Sequence, residues 1–86
     1  MVYYVYFIKT LDGYPAKTYV GYTNNLKKRL GLHNSSKGAK VTKGSKWLLI
    51  YKKTFDSKSK AMKEEYKLKK NYLLRKKIKA EHINKL

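Results

Sequence analysis

Eighty-six residues suffice for one domain with a modest core, and an apolar content of 42% is enough to make it globular. The chain has no cysteine, which excludes a disulfide staple, a thiolate metal site and a cysteine nucleophile, and no apolar run approaches the ~20 residues of a membrane span. Twenty-two Lys and Arg against five Asp and Glu give a net charge of +17, a self-repelling density whose natural counterweight is a polyanion, nucleic acid being the commonest. The basic residues are spread through the chain rather than gathered in one tract, which argues against a membrane surface as the partner. The beginning lacks a basic segment followed by a long apolar one, so no secretory signal is expected and the cytoplasm is the expected location.

In chain order, Val2 to Lys9 is aromatic and β-branched almost throughout and predicts a strand. Asp12-Gly13 is a turn signal that Pro15 extends, and Lys17 to Gly21 predicts a second strand, antiparallel to the first. Asn24 or Asn25 suits the N-cap of a short helix from Leu26 to Asn34. Ser35 to Ser45 is a basic loop of Ser, Gly and Lys, and Trp47 to Thr54 predicts a third strand. Asp56 or Ser57 caps a long helix to about Lys70, and Tyr72 to about Asn84 forms a last helix. The expected fold is of the α/β class, α+β type: a small three-stranded antiparallel sheet flanked by helices, in the order β-β-α-β-α-α, with residues 1–86 as a single domain.

Alternation puts Tyr4, Tyr6 and Ile8 on one face of the first strand, and Tyr19 and Gly21 on one face of the second. A hairpin centred on Asp12-Gly13 sets Tyr6 opposite Tyr19, two phenols side by side; the plainer reading is a pair that stabilises the sheet. Arg29 and His33 are four apart and share a helix face. Arg29 is one of only two arginines, which suggests a need for its planar fork; the alternative is a surface Arg with a capping His. Among the five acids, Asp12 belongs to a turn, Asp56 to a cap, and Glu81 to a lysine-rich helix. Ala61, Met62, Tyr66, Leu68, Tyr72 and Leu73 fall on one arc of the wheel, with Glu65 near its middle and Glu64 at its edge. An inward carboxylate needs a partner or a cation, and an ion pair from Glu65 to Lys69 is the simplest one.

The order of these features resembles the GIY-YIG nuclease domain, in its small stand-alone bacterial subgroup: Tyr4-Val5-Tyr6, then Tyr19-Val20-Gly21, then Arg29 and His33, then Glu65 on a later helix. The stretches His33 to Gly44 and Ser59 to Tyr66 look like the subgroup's basic loop and the surroundings of its metal-binding Glu, so the likeness runs from about residue 2 to 72. The first motif lacks its leading glycine, and Ser36 stands where the subgroup usually has Gly, Val41 for Tyr and Lys43 for Arg. Larger members often carry a later phosphate-contacting Asn; Asn71 lies too close to Glu65 and Asn84 too far, so no Asn role is carried over.

The resemblance implies a metal-dependent endonuclease acting on DNA phosphodiester bonds with low sequence specificity, in DNA repair or recombination. Glu65 would hold one Mg²⁺ or Mn²⁺, Tyr6 would deprotonate water directly or through a relay, and Tyr19 would orient water or phosphate. Arg29 would stabilise the charged transition state, His33 would assist proton transfer, and Lys37, Lys40 and Lys43 would track the backbone. The partner is DNA, with RNA within the same chemistry, and the expected state is a monomer or weak dimer, with a protein partner as one source of specificity. The alternatives are a catalytically weak or inactive binding module of the same fold, and a ribosomal or chromatin-associated structural protein.

Overall fold

The computed structural model describes residues 1–84. Three strands, β1 (Tyr3–Thr10), β2 (Thr18–Thr23) and β3 (Trp47–Phe55), form one sheet in the order β2-β1-β3, with both pairings antiparallel. Three helices accompany it: α1 (Leu26–Asn34), α2 (Lys58–Lys70) and α3 (Tyr72–Asn84). The expected order β-β-α-β-α-α and the antiparallel sheet both hold, and α1 matches its expected span end to end. The loop after α1 differs: it contains a 3₁₀ turn at Lys40–Thr42.

The central strand is covered on both faces. Val5, Tyr6, Phe7 and Ile8 are all buried. Val5 and Phe7 pack with Val20, Ala61 and Leu68 on the side of α2, flanked by Tyr51, Phe55 and Ile78. Tyr6 and Ile8 pack with Trp47 on the side of α1, flanked by Tyr19, Leu26, Leu30 and Leu49. A register shift makes this two-sided core possible: Phe7 pairs with Tyr51 but Ile8 with Leu49, so Ile50 is the extra residue of a bulge in β3. Beyond it Trp47 and Leu49 turn to the α1 face, while Tyr51 and Phe55 keep the other.

The hairpin register differs from the expected one. Tyr6 lies opposite Gly21 and Tyr19 opposite Ile8, two residues away from the pairing that a turn centred on Asp12-Gly13 imposes. The turn itself is present, with Tyr14 N–H donating to Leu11 O at 3.3 Å and Gly13 at φ 96°. Pro15 and Ala16 add length on one side only, and the ladder resumes with Thr10 N–H donating to Lys17 O at 3.1 Å. Thr10 Oγ1 ties off this excess, donating to Pro15 O and accepting from Lys17 N–H.

Caps delimit the helices as the sequence suggests. Asn25 Oδ1 accepts from Lys28 N–H at 3.1 Å and Ser57 Oγ from Lys60 N–H at 3.2 Å. Asp56 is no cap; it pairs with Lys60 at 3.1 Å, and the hydrogen bond from that ammonium holds its carboxyl below the ordinary range. The inward face of α2 is narrower than the wheel implied. Ala61 and Leu68 are buried, but Met62 and Tyr66 are exposed, as are Tyr72 and Leu73 at the start of α3. The sheet is small, and it has no further surface to cover them.

Candidate active site

The site begins at a glycine. Gly21 has no side chain, and a Cβ built there would overlap the Tyr6 phenol. The ring of Tyr6 therefore lies across the backbone of β2, itself fully buried. One register step along, on the same face, Tyr19 sets its ring 6.3 Å from that of Tyr6, centroid to centroid. The two phenols are diagonal neighbours, not the directly opposed pair that the shorter turn suggested. Their shared face survives because the register differs by two residues, which preserves side-chain parity.

Helix α1 completes the cluster with one face. Arg29 and His33, one turn apart, both reach the Tyr6 hydroxyl: Arg29 Nε–H donates to it at 3.4 Å, and His33 Nε2 lies 2.8 Å from it. His33 is fully buried, so it is neither a surface residue nor a helix cap. Its ring stands 5.1 Å from that of Tyr19. On its far side, His33 Nδ1 lies 3.0 Å from Thr42 Oγ1.

Burial and charge compete at these groups. Burial pushes the Tyr6 phenol above its ordinary value of 10.0, outweighing the hydrogen bond and charge of Arg29, which act the other way; Tyr19 and Glu65 add to the rise. Arg29 is held more firmly protonated than usual, first by the hydrogen bond to Tyr6, with Tyr19 assisting. Burial lowers the His33 imidazole below 6.5, and the positive charge of Arg29 lowers it further. At neutral pH Tyr6 and His33 thus form a neutral pair.

The two adjacent glutamates diverge. Glu64 borders a hollow between the sheet and the α2–α3 junction, near Tyr51, whose phenol is pushed up by burial first and by the Glu64 charge second. Glu65 acts on Tyr6 instead. Its side chain is only 16% exposed and pairs with Lys69 at 3.4 Å, so it is both inward and ion-paired. Among the described residues no three His, Cys, Asp or Glu side chains gather as a ready-made metal chelate. A single recessed carboxylate that already faces an ammonium fits a hard cation whose other ligands come from water and phosphate oxygens.

Lys37, Lys40 and Lys43 are exposed on the loop after α1, outside the Tyr6 cluster. The loop is tethered rather than loose: Asn34 Oδ1 accepts from Trp47 N–H at 2.6 Å, and Ser36 Oγ from Gly44 N–H at 3.0 Å. Ser36 has φ 62°, a left-handed conformation that favours glycine. Asn71 is occupied structurally, its Oδ1 accepting from Leu74 N–H at 3.0 Å as α3 begins. Sequence reasoning missed Thr42 and Gly38, which surround His33. Both lie within the basic loop, where the lysines were the louder signal.

Comparison with known proteins shows the family. The family model of the GIY-YIG catalytic domain matches residues 2–79. A UPF0213 protein of Staphylococcus haemolyticus is 45% identical over 67 residues, covering 77% of this chain and 78% of the relative. One from Oceanobacillus iheyensis is 46% identical over 67 residues, with 77% and 74% covered. The solution NMR structure of the UPF0213 protein from Bacillus halodurans shares the fold with a TM-score of 0.51 and 37% identity, over 90% of this chain and 80% of that one.

Proposed function

The chain belongs to the GIY-YIG catalytic-domain family, a nuclease family, and from that premise we propose that it is a divalent-metal-dependent endonuclease that hydrolyses DNA phosphodiester bonds with low sequence specificity. The observation that carries this reading is the Tyr6 hydroxyl, held between His33 Nε2 at 2.8 Å and Arg29 Nε at 3.4 Å.

With the phenol raised and the imidazole lowered, neither group gives up or takes a proton easily alone. A relay resolves this. The Tyr6 hydroxyl is closed to solvent in the free protein, so the relay requires that a water be admitted to it as substrate binds; that water passes one proton to the phenol oxygen as the phenol's own proton moves to His33 Nε2. The resulting hydroxide attacks phosphorus, one P–O ester bond breaks, and the departing oxygen takes a proton from solvent. His33 returns its proton through Tyr6 to water, and the cycle closes. Arg29 stays protonated throughout and faces the negative charge that develops on the phosphate oxygens. Glu65 would hold one Mg²⁺ or Mn²⁺, which when bound supplies charge stabilisation at the scissile phosphate. Lys37, Lys40 and Lys43 hold the backbone by charge, with no base readout.

The test is nicking of supercoiled plasmid and of branched or single-stranded DNA with Mg²⁺ or Mn²⁺. Wild type is expected to cleave, chelation to stop it, and Glu65→Ala and Tyr6→Phe each to lose about 10²- to 10⁴-fold in rate. Equal cleavage by all three proteins would sink the assignment.

A further inference from the structure

We propose that Thr42 is a positioning residue that locks His33 in the Nδ1–H tautomer, leaving Nε2 as the acceptor for the Tyr6 proton. The catalytic consequence rests on the nuclease reading above; the tautomer itself rests on hydrogen-bond geometry alone.

Thr42 Oγ1 lies 2.8 Å from the Ala39 carbonyl oxygen and 3.0 Å from His33 Nδ1. A carbonyl has no proton, so two oxygens at that separation need the threonine's single hydroxyl proton between them. Once that proton is committed, Oγ1 can only accept from its other neighbour. His33 Nδ1 must therefore carry a hydrogen, and a neutral imidazole with Nδ1–H has a bare Nε2. Tyr6 Oη then donates to Nε2 and accepts from Arg29, whose guanidinium can only donate. Every proton from the Arg29 guanidinium to the Ala39 carbonyl has one consistent place.

The surroundings hold this chain in place. Thr42 and His33 are both fully buried, where an unmatched donor or acceptor is costly. Trp47 Nε1–H donates to the Thr42 carbonyl at 3.0 Å, and Thr42 N–H donates to Ala39 O at 3.0 Å, so the 3₁₀ turn is anchored independently of the side chain. Gly38 closes against the imidazole: a Cβ there would stand 2.6 Å from Nδ1. The charged and titratable groups that face His33 and its phenol partner are Tyr6 from β1, Tyr19 from β2, Arg29 from α1 and, through Tyr6, Glu65 from α2. When His33 takes the relayed proton, Thr42 remains its Nδ1–H acceptor, so the ring need not turn.

The experiment reads the tautomer directly, by ¹⁵N NMR of the imidazole nitrogens in the free protein at neutral pH, and nicking in parallel. Wild type is expected to show protonated Nδ1 and bare Nε2. Thr42→Val, which keeps the shape and removes the acceptor, shifts His33 toward Nε2–H. It lowers kcat by about 10- to 100-fold with KM nearly unchanged, and moves the acid limb of the pH profile to lower pH. Thr42→Ser restores both. An Nε2–H tautomer in wild type overturns the proposal without any variant. So does a Thr42→Val protein that keeps both the tautomer and kcat. If Thr42→Val fails to fold, the wild-type tautomer and Thr42→Ser decide, and loss of the Nδ1–H form in Thr42→Ser counts against the proposal. A wild type that cleaves nothing removes the nuclease reading and leaves the tautomer result standing.

Discussion

At the scale of single residues, the core of the site is a neutral phenol–imidazole pair, and its neutrality has a measurable signature. The folded-state value of His33 lies below its unfolded 6.5. The unfolded chain therefore binds more protons as the solution is acidified, and the His33 contribution to stability, complete above about 6.5, drains away as pH falls below it. Tyr6 supplies the opposite limb. Its folded value is raised above 10.0, so the unfolded chain loses its proton first and stability falls as pH rises through that point. Chemical denaturation across the pH range should show both limbs, with His33→Gln losing the one just below 6.5 and Tyr6→Phe shrinking the alkaline one, to which the raised Tyr51 phenol also contributes. A limb left at full size in the matching variant would place that titration elsewhere. Gly21 is the silent member of the cluster, since any side chain there meets the Tyr6 ring. Gly21→Ala should cost about 1–3 kcal/mol in urea unfolding and lower nicking by more than the unfolded fraction accounts for.

At the scale of elements, the loop after α1 has two opposed terms at one residue. Ser36 bears a left-handed backbone conformation at φ 62°, and its hydroxyl accepts from Gly44 N–H. Ser36→Gly relieves the first and loses the second, each worth about 1 kcal/mol, so its stability should stay near that of wild type. Ser36→Ala keeps the strain and loses the bond, and should fall about 1 kcal/mol in the same assay. Equal losses in the two variants would show that the backbone at Ser36 is unstrained. Two side chains tie the α2–α3 junction: Asn71 Oδ1 accepts from Leu74 N–H, and the Arg75 guanidinium donates to Lys69 O. Asn71→Ala should cost about 1 kcal/mol through the lost cap and leave nicking at saturating DNA unchanged.

At the scale of the whole molecule, a charge of +17 predicts nucleic-acid binding that is strongly electrostatic and separable from catalysis. Affinity should fall steeply with salt, on the order of 10³- to 10⁵-fold between 50 and 200 mM where ~6–10 phosphates are neutralised. Replacing Lys37, Lys40 and Lys43 together by Ala should reduce the slope of log K against log salt by up to about 2.7, at ~0.9 for each phosphate no longer neutralised. The kcat at saturating DNA should stay near wild type, because these exposed lysines stand outside the Tyr6 cluster. An unchanged slope would move the binding track to another face. No helix among the described residues is long and apolar enough to cross a membrane.

The sequence by itself determined the element order, the span of α1, the Asn25 cap, the shared face of Arg29 and His33 and the inward place of Glu65, because each depends on spacing within one element. It also carried the family likeness, which lives in the order of short motifs. Tertiary structure alone decided the hairpin register, because Pro15 and Ala16 lengthen the connection on one side of a turn that is present as expected. The bulge at Ile50 and the exposure of Met62, Tyr66, Tyr72 and Leu73 belong there too, since local periodicity does not reveal how much sheet is available to cover a helix. So does the contact between Thr42 and His33, nine residues apart: a buried proton path forms only when the loop folds back over the helix that precedes it.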